Sequence, residues 1–343
     1  MKKVIKGIFW LILLAIVVIG IYVAYVYLQY YRLSDNIQLT VDNNQHKKVE
    51  TNTSYKIMTY NIGYGSYPAD YSFFMDGGKE VRARSAEAVQ LALSQDLALI
   101  NHNNPDFINL QEVDVQGDRS KKVNEVAFFQ KKLSSYSNIF GQNYDSAYLF
   151  YPITQPIGQA KSGIMSFSKF TINSSYRYTL PIETNFNKFF DLDRAFTVDE
   201  YVLANDKKLY IYNTHMSAFI KDQAIQKKQL TTLFSSMQKH ISEGNYVVCG
   251  GDYNHVLIEK AHPELTWMRE FPSKDLPKGL RIVAPTNAFS VRNNDKPYTD
   301  KSLVGTIDGF IVSNNVQTID IKTIVNDFQS SDHQPVVMTF KLK

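Results

Sequence analysis

Residues 8–28 carry no charge and are apolar or aromatic apart from Gly20. A helix over these 21 residues, rising ~1.5 Å per residue, is about 31 Å long, the thickness of a bilayer's hydrocarbon layer. The run therefore predicts one transmembrane helix and divides the chain into a stub and anchor over 1–30, a polar linker over 31–54 and a domain over 55–343. Lys2, Lys3 and Lys6 precede the run and only Arg32 follows closely. That bias places the amino terminus in the cytoplasm and the domain outside, a single-pass arrangement in the plasma membrane. Tyr22, Tyr25, Tyr27, Tyr30 and Tyr31 then fall near the outer headgroups. A cleaved leader is the alternative, but the apolar core is too long for one and no small-x-small site follows it closely.

From 31 to 54 the chain is polar and lacks apolar periodicity, as in Asp42-Asn43-Asn44-Gln45-His46-Lys47-Lys48. This composition predicts a flexible tether spanning about 25 to 30 Å. The remaining ~290 residues suffice for a large core, and the net charge of +4 selects no partner. Cys249 is the one cysteine, so an intrachain disulfide framework and a multi-cysteine zinc site are excluded. Its apolar surroundings suit a buried filler.

Strands alternate with few helices beyond residue 55. Helical spacing covers 79–101, 124–133 and 222–242, and strand patterning covers 55–63, 106–113, 164–168, 176–180, 194–203 and 209–214. Residues 64–78 and 255–297 read as loops, the second holding five prolines and suiting a rim over a pocket. His102, His255 and His262 are expected on exposed loops and His240 on the polar side of a helix.

The informative residues stand where strands end. Val247-Val248-Cys249-Gly250-Gly251 leads to Asp252 and Asn254, which period-2 geometry puts on one side, while the glycines permit close approach. A carboxylate beside a carboxamide suits a hard cation, or a phosphate and its attacking water. Other strand ends carry Asn61, Glu112, His215, Asp308 within an apolar run, and Asp332-His333 before the last strand. Singly, each is compatible with a turn, a surface acid or a structural histidine. Together, in succession, they form a pattern. No internal repeat, glycine-rich nucleotide fingerprint or nucleophile elbow is present.

In order, the blocks Tyr60-Asn61-Ile62, Leu110-Gln111-Glu112-Val113, Asn213-Thr214-His215-Met216, Gly250-Gly251-Asp252-Tyr253-Asn254, Ile307-Asp308-Gly309-Phe310 and Ser331-Asp332-His333-Gln334-Pro335 resemble the endonuclease/exonuclease/phosphatase superfamily across residues 55–343. The resemblance implies an α/β fold, a four-layer α/β/β/α sandwich of two mostly antiparallel sheets, with the site where strand ends meet. It implies Glu112 as the main ligand of Mg²⁺ or Mn²⁺, Asn61 supporting it and Asp332 near the metal. Asp252 and Asn254 would handle the water and the phosphate. His333, oriented by Asp308, and His215 would bind phosphate oxygens and share the proton transfers. Lys161, where AP endonucleases have a tyrosine, and Arg194, placed like a phosphate-holding arginine of pancreatic deoxyribonuclease, are candidate substrate contacts. The substitution at Lys161 counts against DNA repair. Asp76-Gly77-Gly78-Lys79 has no counterpart and is expected to begin a helix rather than touch substrate.

The function expected on this basis is a membrane-tethered, divalent-metal-dependent phosphodiesterase or phosphatase acting outside the cell. Its substrate would be a phospholipid, a sugar phosphate or a nucleic acid, and no protein partner is expected. A surface nuclease is the alternative enzyme. A non-catalytic binding module on the same fold predicts lost ligands, whereas every acid, amide and histidine of the set is present.

Overall fold

The strand β2 (Ser54–Asn61) sends Tyr55 and Ile57 into one buried cluster and Met58 and Tyr60 into another. In β9 (Tyr246–Asp252), Tyr246 and Val248 share the first cluster while Val247 and Cys249 enter a third. Strands apolar on both faces need cover on both, which a layered sandwich supplies. The computed structural model describes residues 1–343 apart from 219–222, 259, 261 and 266.

Numbered along the chain, one sheet runs edge to edge as β16 (Val316–Thr323), β17 (Val336–Leu342), β2, β3 (Phe107–Gly117), β5 (Ala160–Ser168) and β4 (Ser137–Asp145). The second runs β1 (Ile37–Gln38), β6 (Ser174–Thr179), β7 (Ala195–Val202), β8 (Lys208–His215), β9, β15 (Asp308–Ser313) and β12 (Leu280–Val283). Within these sheets only β2–β3 and β8–β9 pair in parallel. Two ribbons, β10 (His255–Val256) with β11 (Arg269–Glu270) and β13 (Val291–Arg292) with β14 (Val304–Gly305), are formed in and just after the expected loop region. The sheets pack face to face through Tyr55, Ile57, Phe107, Ile211, Val248, Phe310 and Phe340. Helices α2 (Ala86–Asn103) and α3 (Glu125–Lys132) cover the first sheet and α4 (Gln223–Ser242) the second, completing the α/β/β/α order. Ahead of them, α1 (Lys2–Gln29) is long and apolar enough to cross a membrane.

Two local expectations change. Helix α2 starts at Ser85, whose Oγ accepts the Ala88 N–H at 3.1 Å, and not at residue 79. Val81 and Ala83 are buried and mimic helical spacing, but Asp76 ends a short 3₁₀ turn and Gly77 follows at φ 95°. The expected start of α4, Asp222, lies outside the described residues. Residues 31–54 are not a free tether. Ile37 and Gln38 add an edge strand to β6, and Val49 is buried. Asn44 Nδ2 donates to the Ile172 carbonyl at 2.9 Å, and its Oδ1 accepts the Ile172 N–H at 3.0 Å. The amides that look like linker composition are partners for the domain's loose backbone groups.

Gly251 of β9 pairs with Thr214 of β8, and a Cβ there would overlap the Thr214 carbonyl oxygen. Gly251→Ala is expected to cost about 1–3 kcal/mol through overpacking, seen as a lower thermal midpoint. An unchanged midpoint would contradict the close approach.

Candidate active site

Along the shared face of the two sheets, strand side chains change character in one direction. In β2 the order is Tyr55, Ile57, Thr59, Asn61; in β8 it is Leu209, Ile211, Asn213, His215; in β9 it is Tyr246, Val248, Gly250, Asp252. The antiparallel β15 reads Asp308, Phe310, Val312. Between the apolar and ionisable layers lies an amide layer. Gln111 Nε2 donates to Asn213 Oδ1 at 2.7 Å, and Asn213 Nδ2 to the Leu110 and Met165 carbonyls at 3.1 and 2.9 Å. Register then sets the last layer side by side: His215 faces Asp252 across β8–β9, and Asp308 faces Asp252 across β15–β9.

Glu112 reaches this layer through a bulge. Leu110 pairs Met165 and Val113 pairs Gly163, so three steps of β3 oppose two of β5. Glu112 takes a left-handed φ of 57°, a conformation that costs a non-glycine residue energy and marks a functional constraint. The strand therefore continues past Glu112 rather than closing there. Arg194 at φ 43°, Asn254 at φ 49° and Tyr64 at φ 53° are also left-handed and line the same cleft of about 340 Å³.

Inside the cleft, His333 Nδ1 meets Asp308 Oδ2 at 2.8 Å, and Ser290 Oγ donates to the same oxygen at 2.7 Å. The His333 Nε2 atom stands 3.8 Å from Asp252 Oδ2. Asn61 Nδ2 donates to Asp252 Oδ2 at 3.0 Å, and the Asn254 N–H to Asp252 Oδ1 at 2.8 Å. His215 Nε2 lies 3.5 Å from Asp252 and 3.7 Å from Glu112. Asp332 accepts from Asn294 Nδ2 at 3.2 Å. Asn254 Nδ2 and Arg194 Nη1 both donate to the Met216 carbonyl, at 2.7 and 2.9 Å.

Burial opposes protonation of His333, but the charges of Asp308 and Asp252 overcome it and hold the imidazolium up to about pH 10. His215 goes the other way. Burial, then the positive charges of Arg194 and His333, push it well below the ordinary range and keep it neutral. Two imidazoles with opposed protonation are what paired acid–base chemistry uses. Burial, then the neighbouring Asp332 charge, pushes Glu112 up to about 8, and burial raises Asp252 as well. The carboxylates of Glu112, Asp252, Asp308 and Asp332 thus surround one imidazolium. This surplus of hard oxygen donors fits a divalent cation. Among the described residues, Asp252, Asp308 and His333 have ligand atoms within 4.8 Å of one another and could hold a metal ion. His333 Nδ1 is already engaged by Asp308, so Glu112 with Asp332 offers the less committed donors.

The structure thus brings together Asn61, Glu112, His215, Asp252, Asn254, Asp308, Asp332, His333 and Arg194. Lys161 is elsewhere: it pairs with Asp145 at 3.4 Å and lines a separate surface cleft with Asp118 and Lys122. His255 is not exposed but buried, its Nδ1 2.7 Å from the Tyr253 carbonyl oxygen. Sequence reasoning missed Arg119, held by Asp114 at 2.9 Å and stacked 3.2 Å from the Tyr64 ring centre. It also missed Tyr144, which completes an aromatic wall with Tyr67, Phe73 and Trp267 from the two stretches expected as loops. None of these sits at a patterned strand end.

Because the folded carboxyl of Glu112 titrates near 8 against ~4.3 unfolded, it leaves stability intact below about pH 4 and erodes it as pH rises through 8. In metal-free protein, Glu112→Gln should therefore raise the thermal midpoint more at pH 8 than at pH 5. Equal midpoints at both pH values would show that Glu112 is not strained.

No protein-family model matches the chain, and no curated protein matches it by sequence. Solved structures do match. An endonuclease/exonuclease/phosphatase protein from Beutenbergia cavernae superposes with a TM-score of 0.59 at 16% identity, over 84% of this chain and 72% of that one. D. rerio TDP2, complexed with a single-strand DNA product, gives 0.51 at 16% identity, over 84% and 100%. ANGEL2, a 2',3'-cyclic phosphatase in complex with adenosine-2',3'-vanadate, gives 0.55 at 15% identity, over 91% and 99%. With its layer order, its sheet register and these neighbours, the chain has the fold of the endonuclease/exonuclease/phosphatase proteins.

Proposed function

We propose that this protein is a divalent-metal-dependent phosphoester hydrolase tethered by α1, with Lys2, Lys3 and Lys6 on the cytoplasmic side and the catalytic domain outside the cell. One observation carries the chemistry: Glu112, His215, Asp252, Asn254 and His333 line one cleft with Asp332, and Asp308 is bonded directly behind His333. The fold neighbours ANGEL2 and TDP2, bound to a vanadate ester and a DNA product, support phosphoester chemistry of this kind.

Asp252, held by the Asn61 amide and the Asn254 N–H, is the group that orients the attacking water and takes its proton, its raised pKa suiting it as a base. The water oxygen bonds to phosphorus as the bond to the leaving oxygen breaks. His333 stabilises charge on the phosphoryl oxygens and returns a proton to the leaving oxygen, while Asp308 fixes its tautomer. Neutral His215 donates a hydrogen bond to another phosphoryl oxygen, and Arg194, with a buried Nε that has no partner, is a further donor facing the cleft. Mg²⁺ or Mn²⁺ held by Glu112 and Asp332, with Asn61 in support, would supply Lewis-acid stabilisation of the developing charge.

Full-length protein should hydrolyse bis(p-nitrophenyl) phosphate or p-nitrophenyl phosphate with Mg²⁺ or Mn²⁺, and EDTA should abolish turnover. Glu112→Ala and His333→Ala should each lower kcat by about a thousandfold with the fold retained. Unaltered turnover in either variant sinks the assignment.

A further inference from the structure

The anchor helix and the cleft share a wall. Tyr22 Oη donates to the Tyr148 carbonyl at 3.2 Å and accepts the Phe150 N–H at 3.3 Å, and Tyr25 Oη accepts the Tyr148 N–H at 3.1 Å. Val26 packs with Ala147 and Phe189, and the Tyr27 and Tyr30 rings lie 4.6 and 5.1 Å from that of Phe189. The residues in between face the other way: Leu149, Tyr151 and Phe190 line the cleft. One thin layer of chain thus touches α1 on one side and forms the cleft wall on the other.

Depth follows from helix geometry. With Lys2, Lys3 and Lys6 on the cytoplasmic side, the uncharged residues 8–21 ahead of Tyr22 make about 21 Å of helix, which places Tyr22 in the outer part of the hydrocarbon layer. Tyr22 lies seven residues before the helix end at Gln29, so the loop it holds sits ~10 Å closer to the bilayer centre than that end. The same loops leave apolar side chains exposed beside α1: Phe150 at 55%, Ile153 at 87% and Phe186 at 47%, with the Phe150 ring 5.3 Å from that of Tyr22. Lys188 lies over the Tyr30 ring at 4.8 Å, a cation placed for lipid headgroups. The cleft's own arginines, Arg119, Arg194 and Arg292, are all buried and bonded to protein oxygens through part of each guanidinium, an arrangement that suits one phosphoryl group rather than a polymer's backbone. A polyanion therefore meets no basic track there among the described residues.

We propose that the loops around Phe150, Ile153 and Phe186 are a membrane-contact surface that rests the cleft mouth on the bilayer, and that the substrates are phosphoester headgroups of lipids. This rests on reading α1 as a membrane span and the cleft as a hydrolase site, and it commits the substrate to the lipid surface rather than to nucleic acid.

Two readouts on full-length protein in phosphatidylcholine–phosphatidylglycerol vesicles separate the claims. Ile153→Cys and Phe186→Cys, labelled with the environment-sensitive fluorophore NBD while Cys249 stays buried, should be quenched by lipids spin-labelled near the headgroup. Asn205→Cys, at the opposite end of the strands, should not. Equal quenching at all three positions, or none at 153 and 186, overturns the contact surface whatever the enzyme does. In the second, headgroup phosphoester release from the vesicles should fall at least about tenfold in an Ile153→Ser/Phe186→Ser variant, with bis(p-nitrophenyl) phosphate turnover unchanged. Turnover of the soluble diester, or nicking of plasmid DNA, without lipid hydrolysis overturns the lipid substrate. Loss of all turnover in the unsubstituted protein overturns the hydrolase reading and with it the substrate, leaving quenching to decide the contact surface.

Discussion

The shared face of the two sheets is the constraint on which everything else hangs. Each central strand must pack apolar side chains against the opposite sheet at one end and hold ionisable groups at the other. Because side chains on one face recur every second residue, the transition has to happen within a few positions. The amides of Asn109, Gln111 and Asn213 manage it. They hydrogen-bond across the sheets to carbonyls and to each other, as in Asn109 Nδ2 to the Tyr212 carbonyl at 2.7 Å. Each unpaired amide here would cost the full desolvation of a buried polar group. The layer therefore ties the sheets at the depth where the hydrophobic core stops, and it fixes the register that brings His215, Asp252 and Asp308 into one row.

Energetically unfavourable features gather beyond that layer. Four left-handed non-glycine residues, Tyr64, Glu112, Arg194 and Asn254, surround one cleft, and buried carboxylates raise one another's pKa there. Neither feature stabilises the fold. Both are tolerated because apolar clusters on the two outer faces, under α2 and α3 and under α4, are buried along the strand bodies. This separation lets the strand ends be chosen for chemistry while the strand bodies carry stability.

Much of this was legible in the sequence, for a physical reason. Buried strands alternate without interruption, so an acid or histidine at the end of one stands out, and the ends at Asn61, His215, Asp252, Asp308 and His333 meet as their patterns imply. What was illegible depends on contacts between distant segments. Arg119 enters the cleft because Asp114 and the Tyr64 ring hold it, and nothing near it in sequence announces either. The bulge at Glu112 is invisible as a pattern, since Leu110-Gln111-Glu112-Val113 reads equally well as an unbroken strand. Residues 31–54 have the composition of a tether, yet their amides serve as partners for the domain. Composition cannot distinguish a side chain that hydrogen-bonds water from one that hydrogen-bonds protein.

That misreading of the linker bears on how the anchor and the site relate. A free tether would decouple the two, leaving the cleft to face any direction. Instead Arg32 Nη2 donates to the Asp193 carbonyl at 2.9 Å, Arg177 Nη1 to the Ser34 carbonyl at 3.3 Å, and the Thr179 N–H to Asp35 at 2.7 Å. The chain leaving α1 is therefore fastened to the second sheet from its first residues. Added to the contacts of Tyr22 and Tyr25, these bonds make the orientation of α1 and the orientation of the cleft a single quantity. The direction in which α1 points therefore also sets the direction in which the cleft opens.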